Sequence, residues 1–347
     1  MKLAVVGENL LEKVVLALGI APTTLVDTHL AFMRARAIMV AAKLGIFDAL
    51  RERPLSAADV ASKCGTAAGA TEKLLNTLVA SDYIRYRNGA YALTRVARKW
   101  ITRDSPTSLR DKLLFEFVEW EMIEHFDDFV RTGCPLDMHQ SDSDEHWALY
   151  QRAMRALAGV GAPEIVQRTP VPTGATTMLD VGGSHGFISV AMCRRYPQLR
   201  AVVLDLPAAV KHAASILAAE GMGDRVTHRA GNALEDDLGT DEWDLVYVSQ
   251  LVHHFDEATN RQFARRVARA LKPGGVFVIL ELLRPASPRD AGQAGALLDL
   301  YFALTSRSGT WSADEMAGWQ RDAGLTPRQP IHLRTIPGYA EVVAAKS

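Results

Sequence analysis

The sequence predicts an α/β fold, a Rossmann-like parallel sheet covered by helices on both faces, preceded by a smaller and mainly helical winged-helix domain. Three observations carry this expectation. From residue 171 onward, apolar runs without strict alternation (MLDVGG, AVVLDL, VTHRAG, WDLVYVS, GVFVILEL) alternate with helical stretches such as GFISVAMCRRYP and AAVKHAASILAAEG. Strands read this way when helices cover both sides of a sheet and no solvated face demands polar residues. Upstream, the order helix, turn, helix, hairpin is that of a winged helix. Finally, 347 residues exceed one ordinary core, so two domains are expected.

The opening MKLAVVGENLLEKVVLALGI is apolar, but Glu8, Glu12 and Lys13 interrupt it before any run reaches the ~18 residues of a membrane span. It reads as an amphipathic helix that packs on something, such as a second subunit. Residues 28–50 show helical apolar spacing ending in a glycine turn, followed by LSAADVASKCG and TAAGATEKLLNTLVASDYI as two further helices. The short pieces IRYRNG and AYALT form a hairpin through Asn88-Gly89. A DNA-recognition helix is disfavoured, because the candidate carries Glu72 and Asp82 against a single Lys73, poor chemistry for phosphates.

From Ser108 to Arg168 the pattern is helical again, broken by GCPLD and SDSDEH and rich in large side chains. Most of these read as core. A subset lining an aromatic-accepting pocket is the sharper alternative. The expected division is 1–107, a winged-helix domain, 108–170, a helical connector contributing to the substrate pocket, and 171–347, the sheet domain. NRQFARRVARALKPGG is read as one helical stretch of that domain.

Charges nearly cancel, 39 Lys+Arg against 40 Asp+Glu, and 48% of residues are apolar, a composition without global attraction to nucleic acid or anionic lipid. Cys64, Cys134 and Cys193 are odd in number and lack CxxC spacing, so neither a disulfide framework nor a zinc site is expected, and a reducing cytoplasm fits. Adjacent histidines point different ways and no HExxH spacing occurs, so no metal site is expected.

LDVGGSHGFISV places Asp180 at a strand end, followed by Gly182, Gly183 and Gly186 in the turn into a helix. Glycines there allow positive φ and close approach of backbone to a ligand. The G-G-S-H-G turn lacks the dinucleotide fingerprint, and no G-x-x-x-x-G-K-[ST] occurs, which disfavours pyrophosphate and triphosphate cradles. Asp205 closes the next strand, where a carboxylate can take both hydroxyls of a ribose. A ribose without a pyrophosphate suggests S-adenosylmethionine.

In this order, and behind a winged-helix segment, LDVGGSHG, VVLDLP, RVTHRAGN, HHFDE and LKPGGVFVILEL resemble the small-molecule O-methyltransferases similar to plant caffeic-acid and bacterial polyketide or phenazine enzymes. The resemblance covers nearly the whole chain. It implies a class I methyltransferase domain, S-adenosylmethionine as cofactor and a homodimer made by the N-terminal domain. It assigns Gly182, Gly183 and Gly186 to the amino-acid and ribose region of the cofactor, Asp205 to the ribose, Asn232 to the adenine edge and Ser249 to the adenosine end, with Asp180, Leu206 and Ala233 as further cofactor-binding residues. Asn232 stands where the family usually has Asp, and Ser249 where plant relatives place Lys.

The same alignment makes His253 the general base, His254 the replacement of the family's acid and Phe255 that of its Trp, while Glu281 falls where relatives carry the glutamate that orients the base. A phenol with pKa near 10 must lose its proton as it attacks, and an imidazole of ordinary pKa about 6.5 can take it. Thr310 falls near the place of a second glutamate. Met154, Trp120, Phe302 and His254 are the candidates for the acceptor side, and the acceptor expected is a small aromatic or polyketide-type molecule. The alternatives are a family member that binds the cofactor but does non-methylating chemistry, and a winged-helix regulator with a degenerate cofactor domain.

Overall fold

A computed structural model describes residues 4–136, 144–290, 292–306 and 308–347. The chain divides into two compact units, Met1–Phe117 and Val118–Ser347. The segment 108–170 is thereby shared between them, and helix Arg110–Ile123 contains the point of division. Of the breaks read in this segment, Asp137 of GCPLD and residues 141–143 of SDSDEH lie outside the described residues.

In the first unit, α1 (Leu10–Ala17) is capped by the Asn9 side chain, which accepts from the Glu12 amide, and buries no residue. Leu10, Leu11, Leu18 and Ile20 stay exposed, an apolar surface of the kind that marks an interaction site. α2 (Ala31–Lys43), α3 (Ala57–Cys64) and α4 (Ala68–Ala80) precede the hairpin of β1 (Ile84–Arg87) and β2 (Ala90–Leu93). Ser56 caps α3, its side chain accepting from the Asp59 amide. Asn88 and Gly89 both have positive φ, +50° and +77°, the mirror-image turn whose twist matches paired strands. Ile46, Phe47, Leu50, Leu75, Leu78 and Ile84 fill the core, each worth about 1.5–3 kcal/mol of burial.

The second unit begins with the end of helix Arg110–Ile123 and the short helix Phe126–Thr132, then α5 (Asp144–Arg168), and contains the sheet. Its strands and helices are β3 (Thr177–Val181), α6 (Phe187–Arg195), β4 (Arg200–Asp205), α7 (Pro207–Ala219), β5 (Val226–Ala230), β6 (Trp243–Ser249), α8 (Glu257–Ala270) and β7 (Leu271–Leu282). α9 (Gly292–Thr305), α10 (Ala313–Asp322), the two-residue β8 (Thr326–Pro327) and β9 (Ile331–His332), and β10 (Tyr339–Ala345) complete it. The sheet order is β5-β4-β3-β6-β7-β10-β8, with β9 also on β10. β5, β4, β3, β6 and β7 run parallel; β10 is antiparallel to β7. The expectation of a parallel sheet thus holds for its centre, and an antiparallel edge is added.

Two apolar layers, one around Phe263, Phe277 and Trp319 and one around Met178, Tyr247 and Val343, cover the two faces. The helix read through LKPGG ends at Ala270, because Pro273 pushes its predecessor to extended backbone and the chain has already entered β7. Between β3 and β6 the strand order reverses, and ligands in such sheets sit at the carboxyl ends of the strands beside that point. No described helix is long and apolar enough to cross a membrane.

Candidate active site

Val181 and Val248 are paired in register, so the turns that leave β3 and β6 are neighbours. The contact is close: a Cβ placed on Gly182 would lie 3.0 Å from Cδ1 of Leu251. Gly182 and Gly186 have φ of +68° and +71°, which L residues adopt only at a cost. Ser184 takes the same left-handed region, φ +55°, without that freedom. Three bonds hold it there: its amide donates to Oδ2 of Asp205 (2.7 Å), its hydroxyl to Oε1 of Gln151 (2.5 Å), and its carbonyl accepts from Nε2 of His228 (2.8 Å).

Asp205 ends β4 half-buried, and its other oxygen accepts from the Leu206 amide at 2.7 Å. Burial pushes its carboxyl up, against the two backbone bonds and nearby His228. Asn232 lies past the end of β5; its Oδ1 accepts from the Leu234 amide (3.0 Å), and Ala233 beside it packs on the apolar layer. His185 is buried, accepts from the Phe187 amide at Nδ1 and bonds the Met154 backbone, which ties α5 to the glycine turn. Burial and the charge of Arg155 lower its imidazole to about 3, so it stays neutral.

Asp180 sits beneath the turn. It is buried, accepts from the Ser189 hydroxyl at 2.7 Å, and leaves no room for a side chain at Gly183, whose Cβ would fall 2.5 Å from the Asp180 carboxyl carbon. Burial raises its carboxyl to about 7 from the ordinary 3.8. Between these values the folded chain keeps a proton that the unfolded chain has released. Its contribution to stability is therefore whole below pH 3.8 and lost as pH rises through about 7. Asp180→Asn, unable to ionise, should match the wild type near pH 4 and melt several degrees higher at pH 8; thermal denaturation across that range checks it.

At the end of β6 the chain makes a one-turn helix, Val252–His254, with His253 buried. Nδ1 of His253 stands 3.0 Å from Oε2 of buried Glu281 on β7. The Val252 amide donates to Oε1 of Glu281, and Gln250, at φ +54°, donates from Nε2 to Oε2, both at 3.0 Å. Asn260 and Trp311 donate to the Val252 carbonyl, at 2.9 and 3.1 Å, and pin the turn. Phe302 of α9 stacks on the His253 ring with centroids 4.5 Å apart, and the His254 ring is tilted against His253 with centroids 4.2 Å apart. Tyr301, next to Phe302, donates to Glu119, next to half-buried Trp120, which sets the helix bearing Trp120 beside α9.

Ser249 ends β6 half-buried. Asp256 does what a helix N-terminus asks of it, its side chain accepting from the Thr259 amide. Thr310 is buried, and its amide and hydroxyl both donate to Asp299, so no carboxylate stands at 310 itself. Reasoning from sequence missed Gln250, Gln151 and Asn260, polar residues in segments otherwise read as helix or strand end. Among the described residues no group of three or more acidic, His or Cys side chains could hold a metal ion.

Residues 26–103 match the O-methyltransferase dimerisation domain, and residues 122–325 match the O-methyltransferase domain. The chain belongs to the O-methyltransferase family. Within that methyltransferase domain lie both the glycine turn and the His253–Glu281 pair. The chain is 30% identical to acetylserotonin O-methyltransferase of Bos taurus over 297 residues, 79% of this chain and 82% of the relative. It is 25% identical to 3-hydroxy-5-methyl-1-naphthoate 3-O-methyltransferase of Streptomyces sahachiroi over 341 residues, 93% of this chain and 94% of the relative. The fold is that of human N-acetylserotonin methyltransferase solved in complex with SAM: the TM-score is 0.84 at 21% identity, over 99% of this chain and 100% of the other.

Proposed function

We propose that this methyltransferase moves the methyl group of S-adenosylmethionine to a hydroxyl of a small aromatic or polyketide-type metabolite, with His253 as general base, and that it works as a homodimer through its N-terminal domain. The observation that carries the reading is the buried His253–Glu281 pair at the carboxyl end of β6, beside the glycine turn. The residues of this rim fit the cofactor. Two lone-pair positions of the Asp205 carboxylate are used by backbone amides, which leaves capacity for two ribose hydroxyls. Asn232, whose Oδ1 accepts from the Leu234 amide, keeps its NH2 as a donor for an acceptor on the adenine edge. When bound, the sulfonium supplies an electrophilic methyl.

The protein's part is to hold and move a proton. With Glu281 accepting from Nδ1–H, Nε2 of His253 carries the lone pair that can take the acceptor's proton, and the carboxylate then faces the imidazolium that forms. Val252, Gln250, Asn260 and Trp311 keep that pair from rotating, and Phe302 covers one face of the ring against water. Met154, Trp120, Phe302 and His254 are the proposed acceptor wall; the names of the naphthoate enzyme and of 3-amino-4-hydroxybenzoate 4-O-methyltransferase of Streptomyces cremeus support an aromatic hydroxyl. A second reading, cofactor binding with non-methylating chemistry, is favoured by the missing carboxylate at Thr310. Incubation with methyl-labelled cofactor and a panel of phenols, followed by mass spectrometry, separates the two: gain of one labelled methyl is expected, and cofactor binding without it on every phenol would overturn the first reading.

A further inference from the structure

We infer that Gln151 is a further cofactor-binding residue, its side-chain amide donating to the carboxylate of the donor's methionine portion. The inference rests on the reading that the donor is S-adenosylmethionine. Sheet order dictates how such a ligand lies. Asn232 follows β5, Asp205 ends β4, the 182–186 turn follows β3 and His253 follows β6, and these four strands are consecutive neighbours. With adenine at Asn232 and ribose at Asp205, the remainder of the molecule must pass over the β3 turn, with its methyl facing the β6 side.

Gln151 meets that turn from α5. Its side chain is fully buried, its Oε1 accepts from the Ser184 hydroxyl at 2.5 Å, and Ser184 in turn donates its amide to Asp205. The amide nitrogen Nε2 is buried and meets no acceptor among the described residues. A buried N–H left unpaired is unfavourable and uncommon, so a group that completes it is called for. An N–H can only donate, which rules out the cofactor's ammonium and its sulfonium as partners. At this end of the molecule the carboxylate is the strong acceptor. A neutral amide also suits a neighbour of the sulfonium better than Lys or Arg, whose charge would repel the cation.

Two ligands and two variants test this by calorimetry. S-adenosylhomocysteine carries the amino-acid portion; 5′-methylthioadenosine lacks it and keeps the adenosine. Gln151→Leu should weaken S-adenosylhomocysteine about 10- to 100-fold and leave methylthioadenosine within about two-fold of wild type. Gln151→Glu, nearly isosteric but anionic, should weaken S-adenosylhomocysteine further. Parallel loss of both ligands in Gln151→Leu would mean that the residue only shapes the turn, and wild-type affinity for S-adenosylhomocysteine in Gln151→Glu would mean that no carboxylate lies there; either overturns the inference. Melting temperatures of both variants separate misfolding from lost binding. A wild-type protein that binds neither ligand would instead overturn the donor assignment itself.

Discussion

Replacing His253 with alanine is expected to lower kcat by about a hundred- to ten-thousand-fold, the usual worth of a general base, while the cofactor's Kd changes by no more than a few-fold. The split follows from the geometry. His253 bonds Glu281 and stacks on Phe302, whereas the proposed ribose ligand Asp205 ends β4 and bonds the Ser184 and Leu206 amides. The fold should tolerate the change, because Glu281 keeps its bonds from the Val252 amide and from Gln250 when the imidazole is gone. Glu281→Gln is the finer probe: an amide can turn either its oxygen or its nitrogen to Nδ1, so control of the tautomer is lost and kcat should fall with KM for the acceptor nearly unchanged. Steady-state kinetics with any phenol that the wild type methylates, together with calorimetry for the cofactor, reads both. Retention of wild-type kcat in His253→Ala would remove the base from the mechanism.

The second large effect belongs to Asp205. Asp205→Ala should raise the Kd of S-adenosylmethionine about a hundred-fold or more, since the two charge-assisted bonds proposed to the ribose hydroxyls would go and the Ser184 amide loses its acceptor at the same time. Asp205→Asn should fall between, as it keeps one acceptor oxygen. A pH dependence accompanies this. Burial raises the Asp205 carboxyl above the ordinary aspartate value, so the ionised form proposed to accept both hydroxyls is lost at a higher pH than for an exposed aspartate. Cofactor affinity should therefore drop on mild acidification in the wild type and stay flat in Asp205→Asn, as calorimetry at stepped pH would register. Equal affinity in wild type and Asp205→Ala would place the ribose elsewhere.

The two halves of the site differ in how far they can be read without coordinates. Gly182, Gly186 and Asp205 were legible because strand ends and turns of a parallel sheet announce themselves by composition, and the residues that follow a strand inherit its position at the rim. His253 and Glu281 were legible as a pair only through alignment with a family. What aligned poorly was the support: Gln250 reaches Glu281 through a left-handed backbone that nothing in SQLVHHF signals, and Trp311, fifty-nine residues beyond Val252, donates its indole N–H to the Val252 carbonyl.

Composition and periodicity were enough to determine an α/β architecture, a winged-helix hairpin turned by Asn88-Gly89, and the acidic and glycine residues at the sheet's carboxyl edge, because each of these depends on interactions between residues close along the chain. Tertiary structure alone decided that β10 returns antiparallel to β7, that Thr310 is bound to Asp299, and that Gln151 of α5 reaches Ser184. Those choices are made by hydrogen-bonding groups far apart in sequence competing for the same buried partners, and burial makes an unpaired group too unfavourable to leave the outcome open.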